Sequence, residues 1–159
     1  MKINSTAKEQ SLRPTTSGNL QLKPTPSEPL RAELDERIRL ALTAASEKKA
    51  INSVVLDLRE IASFTDYFVI TSGTNERQVQ AISDGIVETL KRAGTAAARV
   101  EGYKTAEWIL LDYGDFVVHV FDEKARKFYD LERLWRESRR VDLPPELVSE
   151  VNSSLRSES

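Results

Sequence analysis

Between Trp108 and Phe121 the chain reads Trp-Ile-Leu-Leu-Asp-Tyr, then Gly114-Asp115, then Phe-Val-Val-His-Val-Phe. Two apolar runs joined by a Gly-Asp pair predict a β-hairpin closed by a type I′ or II′ turn, because such turns need glycine or a small polar residue at positive φ. A two-residue loop also sets the register. Tyr113 should oppose Phe116, Asp112 Val117, Leu111 Val118, Leu110 His119, Ile109 Val120 and Trp108 Phe121. Since side chains alternate along a strand, one face then carries Tyr113, Phe116, Leu111, Val118, Ile109 and Val120, an apolar set suited to packing under helices. The other carries Trp108, Phe121, Leu110, His119, Asp112 and Val117.

That second face mixes a large aromatic group with an acid and an imidazole, and two readings of it stand. As an interface, Trp108 would be the anchor of a patch of the kind that dominates protein–protein binding, with Glu101, Glu107, Asp112 and Asp115 as an acidic rim favouring a cationic partner. As interior, a further helix covers the face and Trp108 is core, the ordinary fate of large aromatic residues. The pattern does not choose between them.

Around the hairpin the expected fold is α/β: one mixed sheet of about five strands, helices mainly on one face, and a C-terminal helix after the hairpin. Ser27 with Pro29 predicts a helix start, and Leu30, Leu34, Ile38 and Leu42 share one face up to about Ser46. Ser53–Leu58 and Asp66–Thr71 read as strands. Asn75 and Gln78 form a capping box for a helix carrying Val79, Ile82, Ile86 and Leu90, ended by Gly94. A strand over Ala98–Glu101 is expected to return parallel to the second strand. Phe128, Leu131, Leu134 and Trp135 predict the apolar side of the last helix. The domain is placed at 27–140, with 1–26, rich in Pro, Ser and Thr, a disordered extension and 141–159, set off by Pro144-Pro145, a polar and partly helical tail.

Composition narrows the function. Zero cysteines exclude thiol chemistry and disulfides, and a single histidine, His119, makes a zinc site improbable. Residues 1–30 carry a net +2 and the remainder −4, a balance that disfavours direct nucleic-acid binding and suits a basic protein partner. No apolar run nears the roughly 18 residues of a membrane span, and no secretory signal follows Lys2. The expected location is cytoplasmic. The Ser/Thr-rich, acid-poor start keeps an organellar transit peptide as the alternative, although it is neither Arg-rich nor amphipathic.

Four blocks in order, Asp66–Gly73 with Arg77-Gln-Val79, Glu101-Gly102, Ala106–Phe121 and Phe128–Trp135, resemble the ribosomal silencing factor family (RsfS, Iojap-like) over about residues 34–136. The resemblance implies a distantly nucleotidyltransferase-like fold and no catalytic activity. It further implies a factor that binds ribosomal protein fourteen of the large subunit, on the face that meets the small subunit. Bound there it would block subunit joining and repress translation when nutrients run low, without a cofactor. On the family's motif Trp108, Leu110 and Asp112 carry over as contacts, with His119, Tyr113, Asp115 and Glu107 as further candidates. The same face can also pair with itself, giving a homodimer in the free protein.

A nucleotidyltransferase is the competing reading. Ser72-Gly73 before a helix loosely fits a phosphate-holding turn, but two strand carboxylates two residues apart, needed for magnesium, are missing: Asp57 is followed at that spacing by Arg59, Asp66 by Phe68 and Asp112 by Gly114.

Overall fold

The computed structural model describes residues 34–147. The expected extension over 1–26, the Ser27 cap and the chain beyond residue 147 lie outside these residues. The elements are α1 (Glu36–Glu47), β1 (Ile51–Asp57), β2 (Tyr67–Gly73), α2 (Glu76–Arg92), β3 (Arg99–Glu101), β4 (Trp108–Asp112), β5 (Phe116–Asp122), α3 (Glu123–Tyr129), α4 (Leu131–Leu134), β6 (Arg139–Arg140) and a 3₁₀ turn (Pro145–Leu147).

The helix expected to run on from Ser27 in fact begins at Glu36. Asp35 is extended (φ −58°, ψ 135°) and its carboxylate accepts the N–H of Arg37 at 2.8 Å, so it takes the capping role. In α2 the expected cap is present: Asn75 accepts from the Gln78 N–H at 2.8 Å, while the Gln78 side chain accepts from the Thr74 N–H, one residue earlier than in the standard box. Gly94 (φ +96°) closes the helix, with Thr95 N–H donating to Leu90 O and Gly94 N–H to Lys91 O, the Schellman pair.

Among the described residues the strands form one mixed sheet of six, close to the five or so expected, in the order β3-β4-β5-β2-β1-β6. The hairpin register holds at every expected pair from Trp108–Phe121 to Asp112–Val117. Tyr113 N–H donates to Phe116 O, and Gly114 has φ +86° while Asp115 does not have positive φ, which selects the II′ turn. One expectation needs correction. The strand over 99–101 shares the direction of β2 but does not sit beside it: β3 pairs antiparallel with β4, and the parallel neighbour of β2 is β5. A three-residue strand offers too few ladder bonds to claim the sheet centre, whereas β5 is seven residues long and apolar on both faces.

Under one face lie α1 and α2. Val79, Ile82, Ile86 and Leu90 of α2 are fully buried against Ile109, Leu111, Val118 and Val120, a gross gain on the order of 10 kcal/mol for the four. The segment expected to be tail contributes here, since Val141 and Leu147 are buried in the same cluster. The opposite face carries a smaller cluster of Leu56, Leu58, Phe68, Ile70, Val117, Phe121, Ala125 and Leu131.

The C-terminal helix is the second correction. It is two short helices broken at Asp130, which adopts the left-handed region (φ 48°, ψ 56°). The break shifts helical phase, so Phe128 and Leu134, expected in the core, are 79% and 69% exposed, while Leu131 stays buried.

Candidate functional site

The aromatic face of the hairpin is built around Trp108 at the start of β4. Its ring stacks on Phe121 (centroids 4.9 Å apart) and lies 4.8 Å from Tyr129 of α3. Its indole N–H donates to His119 Nδ1 at 3.1 Å, across the strand pair that places the two rings side by side. Beyond His119 the series continues through Phe68, edge-on at 4.4 Å, to Trp135 and Phe64. A run of rings therefore crosses the sheet, deeply buried at Phe121 and His119 and open at both ends, where Phe128 and Tyr129 stand on one side and Phe64 on the other.

The backbone locks Trp108 in place. Gly102 has φ +83°, and a Cβ there would collide with the carbonyl oxygen of Trp108, so only glycine permits this close approach.

Of the expected contact residues, the structure brings Trp108, Leu110 and Asp112 onto one face of β4, all half-buried. Asp112 is occupied: Oδ1 accepts the Gly114 N–H at 2.9 Å and Oδ2 meets Arg99 at 3.2 Å. Asp115 is exposed and paired with Arg37 at 2.8 Å. Of the acidic rim, then, Glu101, Asp112 and Asp115 each face an arginine, and Glu107 is exposed without an ion pair among the described residues. His119 and Tyr113 lie inside. His119 is 3% exposed, and burial alone pushes its imidazole down to about 4, so the ring is neutral. Tyr113 belongs to the helix-covered face, stacked on Phe116, and burial pushes its phenol up to about 12.

The second face is therefore divided between an interior part and a half-exposed part. Phe121, His119 and Val117 are interior; Trp108 and Leu110 border an open patch completed by residues that sequence reasoning missed. These are Phe128, expected on the apolar side of a continuous helix, and Tyr129, not singled out at all; the one signal against that helix is Asp130, a residue type that tolerates the left-handed region. Beside the patch a hollow of about 440 Å³ is lined by Glu76, Glu107, Asp122, Lys124, Phe128 and Tyr129. Three carboxylates and two aromatic rings suit a cationic side chain, the rings through their negative faces. Among the described residues no helix is long and apolar enough to cross a membrane.

Known proteins resemble this chain in sequence and fold. Residues 31–159 match the family described as ribosomal silencing factor during starvation. A ribosomal silencing factor from Halalkalibacterium halodurans is 41% identical over 108 residues, 68% of this chain and 92% of that protein. A mouse protein named mitochondrial assembly of ribosomal large subunit protein 1 is 30% identical over 123 residues, 76% of this chain and 53% of its own length. A crystal structure of a Chromobacterium violaceum protein, 33% identical, superposes with a TM-score of 0.63 over 70% of this chain and 90% of that one. The blocks that carried the resemblance all lie inside the matched span, and the chain belongs to the ribosomal silencing factor family.

Proposed function

We propose that this protein binds the large ribosomal subunit through ribosomal protein fourteen and, by occupying that position, blocks association with the small subunit and so represses translation. The observation that carries the reading is the half-open aromatic patch of Trp108, Tyr129 and Phe128 beside a hollow walled by Glu76, Glu107 and Asp122. Apolar anchors beside three carboxylates set against the single Lys124 call for a partner that offers both apolar surface and cationic side chains, and ribosomal proteins are basic. The family description, silencing during starvation, fits action under nutrient limitation. The mouse relative's name places it with the large subunit. In the free protein a second copy would occupy the same patch as a homodimer that must dissociate before the ribosome is engaged.

Co-sedimentation with separated ribosomal subunits tests this. Wild type should pellet with large subunits only and lower the yield of joined ribosomes on reassociation. Trp108→Glu puts a charge in the desolvated centre and should lose several kcal/mol of binding, roughly a hundredfold or more. Pelleting with neither subunit, or undiminished pelleting of a folded Trp108→Glu protein, would sink the assignment.

A further inference from the structure

On the side of α3 away from the Trp108 patch, the end of β2 and the start of β1 open into a cleft of about 650 Å³. Its size falls in the roughly 300–1,000 Å³ range of small-molecule sites. Lys127 of α3 and Arg140 of β6 converge on it together with Lys124, which is shared with the hollow beside Trp108, and none has an ion-pair partner among the described residues. Arg126 forms part of the wall, fixed to Glu132 by two contacts at 3.3 and 2.9 Å, so that these two charges cancel. Glu123 and Asp130 also border the cleft, leaving three unpaired cations against two carboxylates. The local sign is positive on a body that is negative.

One hydroxyl donor completes the site. Ser72, 1% exposed, accepts the Arg126 Nη1 hydrogen bond at 2.9 Å, so its own hydrogen is polarised and has no acceptor among the described residues. The Ser53 and Thr71 hydroxyls, 2.7 Å apart, bond each other instead: Thr71 alternates with Ser72 and lies beside Val120 on the helix-covered side, so this pair does not serve the cleft. The backbone is shaped locally as well: Asn52, at φ 54°, sits in the bulge between Ile51 and Val54, and this stretch of β1 forms part of the cleft wall. Bulges and left-handed non-glycine residues recur beside ligand sites.

Lys and Arg around the Ser72 hydroxyl are a set of donors, so the occupant must be an acceptor. A lone carboxylate has one charge and two oxygens, whereas a phosphate monoester is close to dianionic at neutral pH with three strong acceptor oxygens. Inorganic phosphate alone would leave most of the volume empty. We propose that this cleft binds a phosphorylated small molecule of mononucleotide size.

Isothermal titration of the full chain with AMP, GMP, CMP and UMP, with adenosine and inorganic phosphate alongside, tests this at low salt. At least one mononucleotide should bind saturably at micromolar to submillimolar concentration, adenosine should not, and the doubly substituted Lys127→Glu, Arg140→Glu protein should bind at least tenfold more weakly. Both side chains are exposed, so the variant should melt as wild type does and still pellet with large subunits, which separates this site from the Trp108 patch. No saturable heat from any mononucleotide overturns the proposal. So does equal binding by the variant, or binding of adenosine as tight as AMP.

Discussion

His119 is buried, uncharged and the only histidine of the chain, so its protonation can be read from stability. Because Nδ1 accepts the Trp108 indole N–H, the neutral ring carries its hydrogen on Nε2, which is buried and has no partner. A second proton would have to sit on Nδ1, donor against donor, and would expel Trp108. The folded value near 4 lies below the ordinary 6.5, so the unfolded chain takes up the proton first as pH falls. The stability tied to the neutral ring is intact above the unfolded value and is lost between 6.5 and 4, about 3 kcal/mol in full and about 2 kcal/mol by pH 5. His119→Leu removes this titration at little change in volume. At neutral pH it gives up one hydrogen bond, about 1 kcal/mol, and some ring contact with Phe68, but relieves an unsatisfied buried group worth about 1–3 kcal/mol, so the two proteins should be nearly equal in stability. Urea unfolding at about pH 7.5 and about pH 5 should then show wild type losing about 2 kcal/mol more than the variant. Parallel losses in the two proteins would refute the neutral, buried imidazole and with it the account of how Trp108 is held.

Two further substitutions separate scaffold from surface. Gly102→Ala forces a Cβ against the Trp108 carbonyl at a positive φ and should cost about 2 kcal/mol or more, read as a lowered urea midpoint, together with weaker subunit pelleting because the start of β4 moves. Phe128→Ser, at a side chain 79% exposed, should leave the midpoint within about 0.5 kcal/mol yet reduce large-subunit pelleting; unchanged pelleting would remove Phe128 from the contact surface.

What could be read from the sequence was what local chemistry dictates. The hairpin register followed from a two-residue loop and period-two alternation, and both ends of α2 from Asn75 and Gly94, because each of these signals acts within a few residues. Where competition between distant segments decides, the reading failed. Arg99–Glu101 looks like any short strand, and only the greater ladder length and apolar character of Phe116–Asp122 put the latter beside β2. The break at Asp130 was hidden because Phe128, Leu131, Leu134 and Trp135 keep helical spacing on either side of it. Hence the patch-forming exposure of Phe128 and Tyr129 was not visible, although Trp108 was. Cleft and hollow alike were illegible, since their linings come from segments far apart in the chain.

The margins of the sheet carry a consequence of their own. On one side β3 is three residues long and holds Arg99 and Glu101; on the other β6 is only Arg139-Arg140, and the stretch of β1 left without a partner strand among the described residues contains the Asn52 bulge. Short, charged or kinked borders make poor templates for adding a strand. The long apolar strands β2 and β5 are flanked on both sides and out of reach. A molecule that displays so much aromatic surface is thereby protected against fibre-like stacking, and any ally it recruits must dock flat onto side chains, its own backbone hydrogen bonds already satisfied.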